Sequence, residues 1–512
     1  MKKGRNKNGL MMFACGLLWN TQDVFGTGAS GLSQPNILLI YTDDVGYGDI
    51  SCQGAIGVQT PNIDRIAREG IAFSNGHCAA ATCTPSRYSL LTGEYPFRNP
   101  KARILPGDAP ALIQPETFTL ADVVKQAGYA TGVVGKWHLG LGDGNLDWNG
   151  DIKPGPREIG FDYSFLIPAT GDRTPCVFVE NQRICGLDPS DPVTVSYDKP
   201  LRDYPIGSEH PELLKQMFSR GHNQTVVNGI SRIGYMSGGK SALWKDEDIA
   251  DTLTGKAIAF IEKNKAAPFF LCFSTHDIHV PRAPNSRFNG KSAMGLRGDA
   301  IVQLDWCVGQ LLETLDSLNL ADHTLVIFTS DNGPVLDDGY VDGAVEKLGQ
   351  HSPGGIYRGG KASHYEGGTR VPFLVRWPAV IPAGKTSVAL MAQMDFAASF
   401  AALLNVKIPE GQCRDSENHL EALLGKRPDG RAVFVEMGHG GLALVYNDWK
   451  YCTPGKNTDR ISAPYDWREI NEPGELYDLK KDPSEQYDLA EKNPERLSEL
   501  RDILNKVQGS QR

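Results

Sequence analysis

The chain has 512 residues, 40% of them hydrophobic and 22% charged, so it can bury a large core and is neither disordered nor fibrous. Its formal net charge of −9 sets aside nucleic acid, whose backbone demands a basic face, but leaves room for a pocket that attracts a small anion. The ten cysteines show no CxxC or Cys/His spacing, which argues against a zinc site built from thiolates.

The N-terminus reads as a targeting segment. Lys2, Lys3, Arg5 and Lys7 precede the short apolar run Gly9–Trp19, and small residues follow in "GTGASG". That is a signal-peptide pattern, assigned to residues 1–29 and too short to span a membrane. The expected location is periplasmic or extracellular, with lipidation at Cys15 a lesser reading. In an exported protein some thiols can pair, and position suggests Cys176 with Cys185 and Cys413 with Cys452.

"NILLIYTDD" (36–44) is a continuous apolar strand ending in two carboxylates, and "IDRIAREG" follows as a helix stopped by Gly70. "CTPSRYSLLTG" (83–93) reads as a loop-to-helix junction. "LADVVKQAGYATGVVGKWHLG" (120–140) is a helix, a glycine stop and a second apolar strand. "PFFLCFSTHDIHVP" (268–281) is a third strand; a helical stretch and a fourth strand, "TLVIFTSDNG", come next. Fully apolar strands separated by helices indicate a mostly parallel sheet covered on both faces, an α/β catalytic domain assigned to residues 33–425. After about Arg431, "AVFVEMGHGGLALVYNDWKYC" alternates as antiparallel strands do, and "PERLSELRDILNKV" closes as an amphipathic helix. Residues 430–512 are therefore read as a smaller α+β subdomain on an antiparallel sheet.

Ligands of such sheets bind beyond the carboxyl ends of the strands. Here those ends carry Asp43 and Asp44, Lys136 and His138, His276 and His279, and Asp331 and Asn332. Three carboxylates and a carboxamide are hard oxygen donors that would repel one another without a cation, so Ca²⁺ or Mg²⁺ is favoured over zinc. Arg87, Lys136, His138, His279 and Lys361 would surround a tetrahedral oxyanion beside that metal, with lysine and arginine stabilising charge and histidine moving protons. Cys83 alone fits a buried thiol, half a disulfide, a metal ligand or a nucleophile.

Six motifs in order then resemble the type I sulfatases of the alkaline-phosphatase superfamily: "LLIYTDDVGYGD", "CTPSRYSLLTG", "GYATGVVGKWHLG", "THDIHVP", "VIFTSDNGP" and "GGKASHYEGGTRVP". They span about Asn36 to Pro372, and "ELYDLKKDPSEQYDLA" near the end is also family-like. The resemblance implies an alkaline-phosphatase-like fold and a sulfuric ester hydrolase. It further implies that a maturase converts Cys83 to Cα-formylglycine, whose hydrate attacks sulfur and then expels sulfate by returning to the aldehyde. Asp43, Asp44, Asp331 and Asn332 would hold the metal with residue 83, Ca²⁺ ahead of Mg²⁺. Arg87 and Lys136 would stabilise the aldehyde hydrate, His138 would act as base, and His279 and Lys361 would bind sulfate and assist the departing oxygen. His276 is either structural or in contact with substrate.

Specificity is expected from segments between the motifs. Asp172, Arg173, His222 and Arg282 have the donor and acceptor types that recognise sugar hydroxyls. The loop style resembles that of exported bacterial enzymes acting on sulfated glycans, so a carbohydrate O-sulfatase is expected, with galactose or N-acetylgalactosamine preferred. The alternatives are a broad arylsulfatase, a phosphodiesterase or phosphonate monoester hydrolase of the same superfamily, and a non-catalytic sulfated-glycan binding protein.

Overall fold

The computed structural model describes residues 34–462 and 466–510. The expected signal segment lies outside the described residues. Among the described residues no helix is long and apolar enough to cross a membrane.

A ten-stranded sheet forms the frame. Its centre is five parallel strands in the order Thr324–Ser330, Asn36–Thr42, Phe269–Ser274, Ala130–Lys136 and Tyr163–Ile167. Antiparallel pairs flank that centre: Phe373–Arg376 on one side and Val179–Glu180 on the other. The sheet is mixed overall, with its parallel part where the sequence places the apolar runs.

Successive side chains of the Asn36–Thr42 strand enter opposite cores, as the two-residue period of a strand requires. Leu38 and Ile40 pack under the helices Pro61–Arg68, Ile249–Asn264 and Gly295–Ser317. Ile37, Leu39 and Tyr41 pack under Cys83–Thr92, Leu120–Gln126 and Phe396–Leu404. Burial on both faces explains the unbroken apolar runs.

The C-terminal part is a four-stranded antiparallel sheet, Val433–Met437, Leu442–Tyr446, Trp449–Cys452 and Glu475–Asp478. The helix Pro494–Gly509 packs on it through Leu497, Leu500 and Leu504. This sheet also touches the catalytic segments. Ala81 N donates to Met437 O, and His439 N donates to Ala362 O, so the stretches before Cys83 and after Lys361 are anchored to it.

The expected disulfides do not form. All nine cysteines among the described residues are free. Cys413 points at Phe118 O, whereas Cys452 lies in the C-terminal sheet and points at His364 O. Cys176 turns toward its own loop at Arg173 O, and Cys185 is likewise free. Sequence proximity and export context carried no information about where these side chains point.

Candidate active site

Four neighbouring strands deliver their carboxyl ends to one edge, and a helix start completes the site. Cys83 is the first residue of the buried helix Cys83–Thr92, which Gly93 ends in the left-handed region at φ 63°. Its Sγ faces Asp43 Oδ1 at 3.8 Å. Burial pushes the thiol up to about 12, against the pull of Lys136 and Lys361, so as a cysteine it stays protonated at neutral pH.

Asp43, Asp44, Asp331 and Cys83 each offer an atom within 4.8 Å of the others, all buried. Cations grip the carboxylates from outside. Lys136 Nζ donates to Asp43 Oδ2, and Arg87 donates to Asp331 Oδ2 at 3.0 and 2.7 Å. Asn332 Nδ2 donates to Asp44 Oδ1 at 2.7 Å, while Asn332 Oδ1 is buried with no donor. A buried acceptor left unpaired costs free energy, and three hard carboxylates close by make a divalent cation its natural partner. Burial, and then the charge of Asp331, push the Asp43 carboxyl well above its ordinary range, a repulsion such a cation would relieve. The donor set therefore fits an oxygen-loving divalent ion.

Arg87 is locked in place. Beyond Asp331 it donates to Ser274 Oγ at 2.6 Å and to Lys136 O at 3.2 Å, and its guanidinium lies 5.1 Å from the Tyr41 ring. Burial disfavours the charged form of Lys136, but Asp43 together with Cys83 and Asp331 outweighs it and the net shift is upward, so Lys136 is an ammonium. Asp44 and His138 sit at φ 60° and 54°, rare for non-glycine residues, and the strain falls where positioning matters.

The histidines divide the labour. Burial and Lys136 hold His138 well below its usual value; its Nε2 meets Leu105 O at 3.0 Å, leaving a buried Nδ1 with no partner. A neutral imidazole that donates through Nε2 presents Nδ1 as an acceptor. His279 donates through Nδ1 to Val280 O at 2.7 Å. Its Nε2 faces Asp44 at 3.9 Å and Asp338 at 3.8 Å. Lys361 Nζ bridges the same two carboxylates at 2.9 and 2.8 Å.

Beside this centre, the loop after Tyr163–Ile167 brings in Asp172 and Arg173. Both Asp172 oxygens accept from Arg173, and Oδ2 also meets His222 Nε2 at 2.9 Å. The His222 ring packs on Tyr340 with centroids 4.8 Å apart. His276 lies 6.2 Å ring to ring from His279; its Nε2 is buried without a partner, and burial lowers it to about 3. Gly171 is required here, since a Cβ at that position would sit 2.1 Å from His276 Nε2.

Arg282 departs from its expected role. Its guanidinium donates to Ile278 O, Leu336 O, Val335 O and Asp342, and its side chain is 0% exposed, so it braces the loop below the site instead of facing a substrate. Asp338 was not singled out in the sequence. The only signal was its position seven residues beyond Asp331, in the loop leaving the same strand.

An α/β sheet that gathers oxygen ligands, fixed cations and a helix-start cysteine along one edge defines a centre for cleaving an anionic ester. A family profile described as sulfatase matches residues 35–406, and the chain belongs to the sulfatase family. It is 53% identical over 480 residues to an N-acetylgalactosamine-6-O-sulfatase of Bacteroides thetaiotaomicron, with 93% of each chain covered. It is 31% identical over 526 residues to arylsulfatase H of Canis lupus familiaris, covering 93% of this chain and 91% of that one. A solved structure from work on the metabolism of multiple glycosaminoglycans by Bacteroides thetaiotaomicron superposes with a TM-score of 0.90 at 52% identity. It covers 93% of this chain and 100% of the other.

Proposed function

We propose that this sulfatase removes the 6-O-sulfate of N-acetylgalactosamine, or of a closely related galactose unit, in a sulfated saccharide outside the cytoplasm. The observation that carries the reading is the pairing of a complete sulfuric-ester centre with the Asp172–Arg173–His222 cluster beside it. That cluster offers both hydrogen-bond donors and acceptors to a polyhydroxylated substrate, a poor investment for a flat aryl group. The 53% identity to an N-acetylgalactosamine-6-O-sulfatase, against 31% to an arylsulfatase, points the same way.

Residue 83, once a maturase has converted it to formylglycine, supplies a hydrated aldehyde whose one hydroxyl attacks sulfur and whose other later releases sulfate. Asp43, Asp44, Asp331 and Asn332 would hold a Ca²⁺ ion, which would supply positive charge favouring an ionised nucleophile. The fixed side chains do the rest. Arg87 and Lys136 hold positive charge against residue 83 and the two carboxylates nearest it. His138, through Nδ1, accepts the proton whose departure lets sulfate leave. Lys361 faces the opposite side, where the sugar oxygen departs, and donates to it as its charge grows, while His279, whose Nδ1–H is taken by Val280 O, turns Nε2 to the same place and donates there only as an imidazolium. His276 and the Asp172 cluster orient the ring.

Sulfate release from a panel of monosulfated sugars and aryl sulfates tests this reading. The expected result is highest kcat/KM on 6-O-sulfated N-acetylgalactosamine, at least ~100-fold above the same sugar sulfated at another carbon, since unpaired buried polar groups penalise a wrong substrate strongly. Faster turnover of aryl sulfates, or of a phosphonate ester, would overturn it.

A further inference from the structure

Lys361 Nζ stands 2.9 Å from Asp44 and 2.8 Å from Asp338, and His279 Nε2 stands 3.9 Å from Asp44 and 3.8 Å from Asp338. Lys361 Nζ and His279 Nε2 therefore each lie about equally far from the same two carboxylates. The carboxylates differ. Asp44 belongs to the oxygen cluster with Asp43, Asp331 and Cys83, whereas Asp338 groups with Asp44 and His279 but not with Asp43, Asp331 or Cys83. In a buried site an ammonium left with one of two flanking carboxylates is drawn hard against it. Without Asp338, Lys361 would close on Asp44, turning away from the substrate and neutralising a metal ligand.

The loop that carries Asp338 is built to hold still. Gly339 O accepts from Ser219 N at 2.9 Å, and Tyr340 Oη donates to Ser231 O at 2.6 Å. The Asp338 side chain is 9% exposed, and Lys361 holds its carboxyl well below the usual range despite burial, so it stays anionic. Rigid support around a reacting group is what keeps donors within reach of one oxygen.

We propose that Asp338 is a positioning residue, which holds Lys361 Nζ away from Asp44 and directed at the ester oxygen that leaves with the alcohol. This rests on the sulfuric-ester reading above but not on which sugar is cleaved. Donors aimed at the leaving oxygen matter most when that oxygen is a strong base, and least when it leaves readily as a stable anion.

The experiment compares the full-length converted enzyme with Asp338→Asn, Asp338→Ala and Asp338→Glu on aryl sulfates graded by the acidity of the phenol. Metal content and conversion of residue 83 are measured on each variant. Asp338→Asn and Asp338→Ala are expected to lose roughly 10- to 100-fold in kcat on the least acidic phenol, the usual cost of removing a supporting partner. The loss should shrink steadily toward the most acidic phenol, with KM little changed, and Asp338→Glu should recover part of it. A loss of equal size across the series, or no loss, overturns the proposal. A steepened series in an enzyme that releases sulfate from no sugar would sink the saccharide reading and leave this one standing.

Discussion

At the junction with the C-terminal sheet, Lys450 Nζ lies 2.8 Å from Glu366, 2.6 Å from Glu436 and 3.4 Å from Glu485, every side chain 0% exposed. At the catalytic edge the order is inverted. There Lys136, Arg87 and Lys361 grip Asp43, Asp331 and Asp44 from outside, and the carboxylates face inward with an unpaired Asn332 oxygen. Carboxylates around an ammonium form a closed unit whose cation is part of the chain. Cations around carboxylates leave a centre that calls for an ion from solution. Both clusters are buried, acidic and rich in charge, so composition and burial alone do not separate a structural cluster from a catalytic one. The direction in which the charges face does.

That contrast can be broken at either cluster. Lys450→Met leaves Glu366, Glu436 and Glu485 together without their central charge, and should cost about 3–5 kcal/mol of stability, the range for an orphaned buried ion pair. Denaturant unfolding reads the loss, and kcat per folded molecule should stay close to that of the unaltered enzyme. A large fall in kcat without unfolding would mean the junction takes part in catalysis. At the catalytic edge the test is a ligand. Ca²⁺ at 100 times its dissociation constant should raise stability by about 2.7 kcal/mol, seen as a higher Tm. Asp331→Asn should abolish that gain, and Lys450→Met should not. A calcium effect that survives Asp331→Asn would place the ion elsewhere.

Much of this was legible in the sequence, for physical reasons. The central strands bury both faces, so "NILLIY" and "TLVIFTS" are unbroken apolar runs, and the polar residues that stop them are those at the sheet edge. Asp43, Asp44, Asp331, Asn332, Lys136, His138 and His279 come together because four adjacent strands run parallel. What escaped depends on tertiary direction. Two-residue strands such as Val179–Glu180 have no period to detect. Arg282 has the chemistry of a substrate contact, but its donors go to backbone carbonyls that no local pattern reveals. Asp338 carries no local pattern that reveals its contact, since only the folded loop brings it onto Lys361.

The proposed chemistry needs a formylglycine at position 83 in place of the buried, protonated thiol that its surroundings would otherwise make it. The most direct measurement is the mass of the peptide containing residue 83, taken from enzyme produced with a compatible maturase and shown to release sulfate. An aldehyde is expected at that position, in a fraction of molecules that rises in step with specific activity. An intact thiol throughout a fully active preparation would contradict the proposed chemistry.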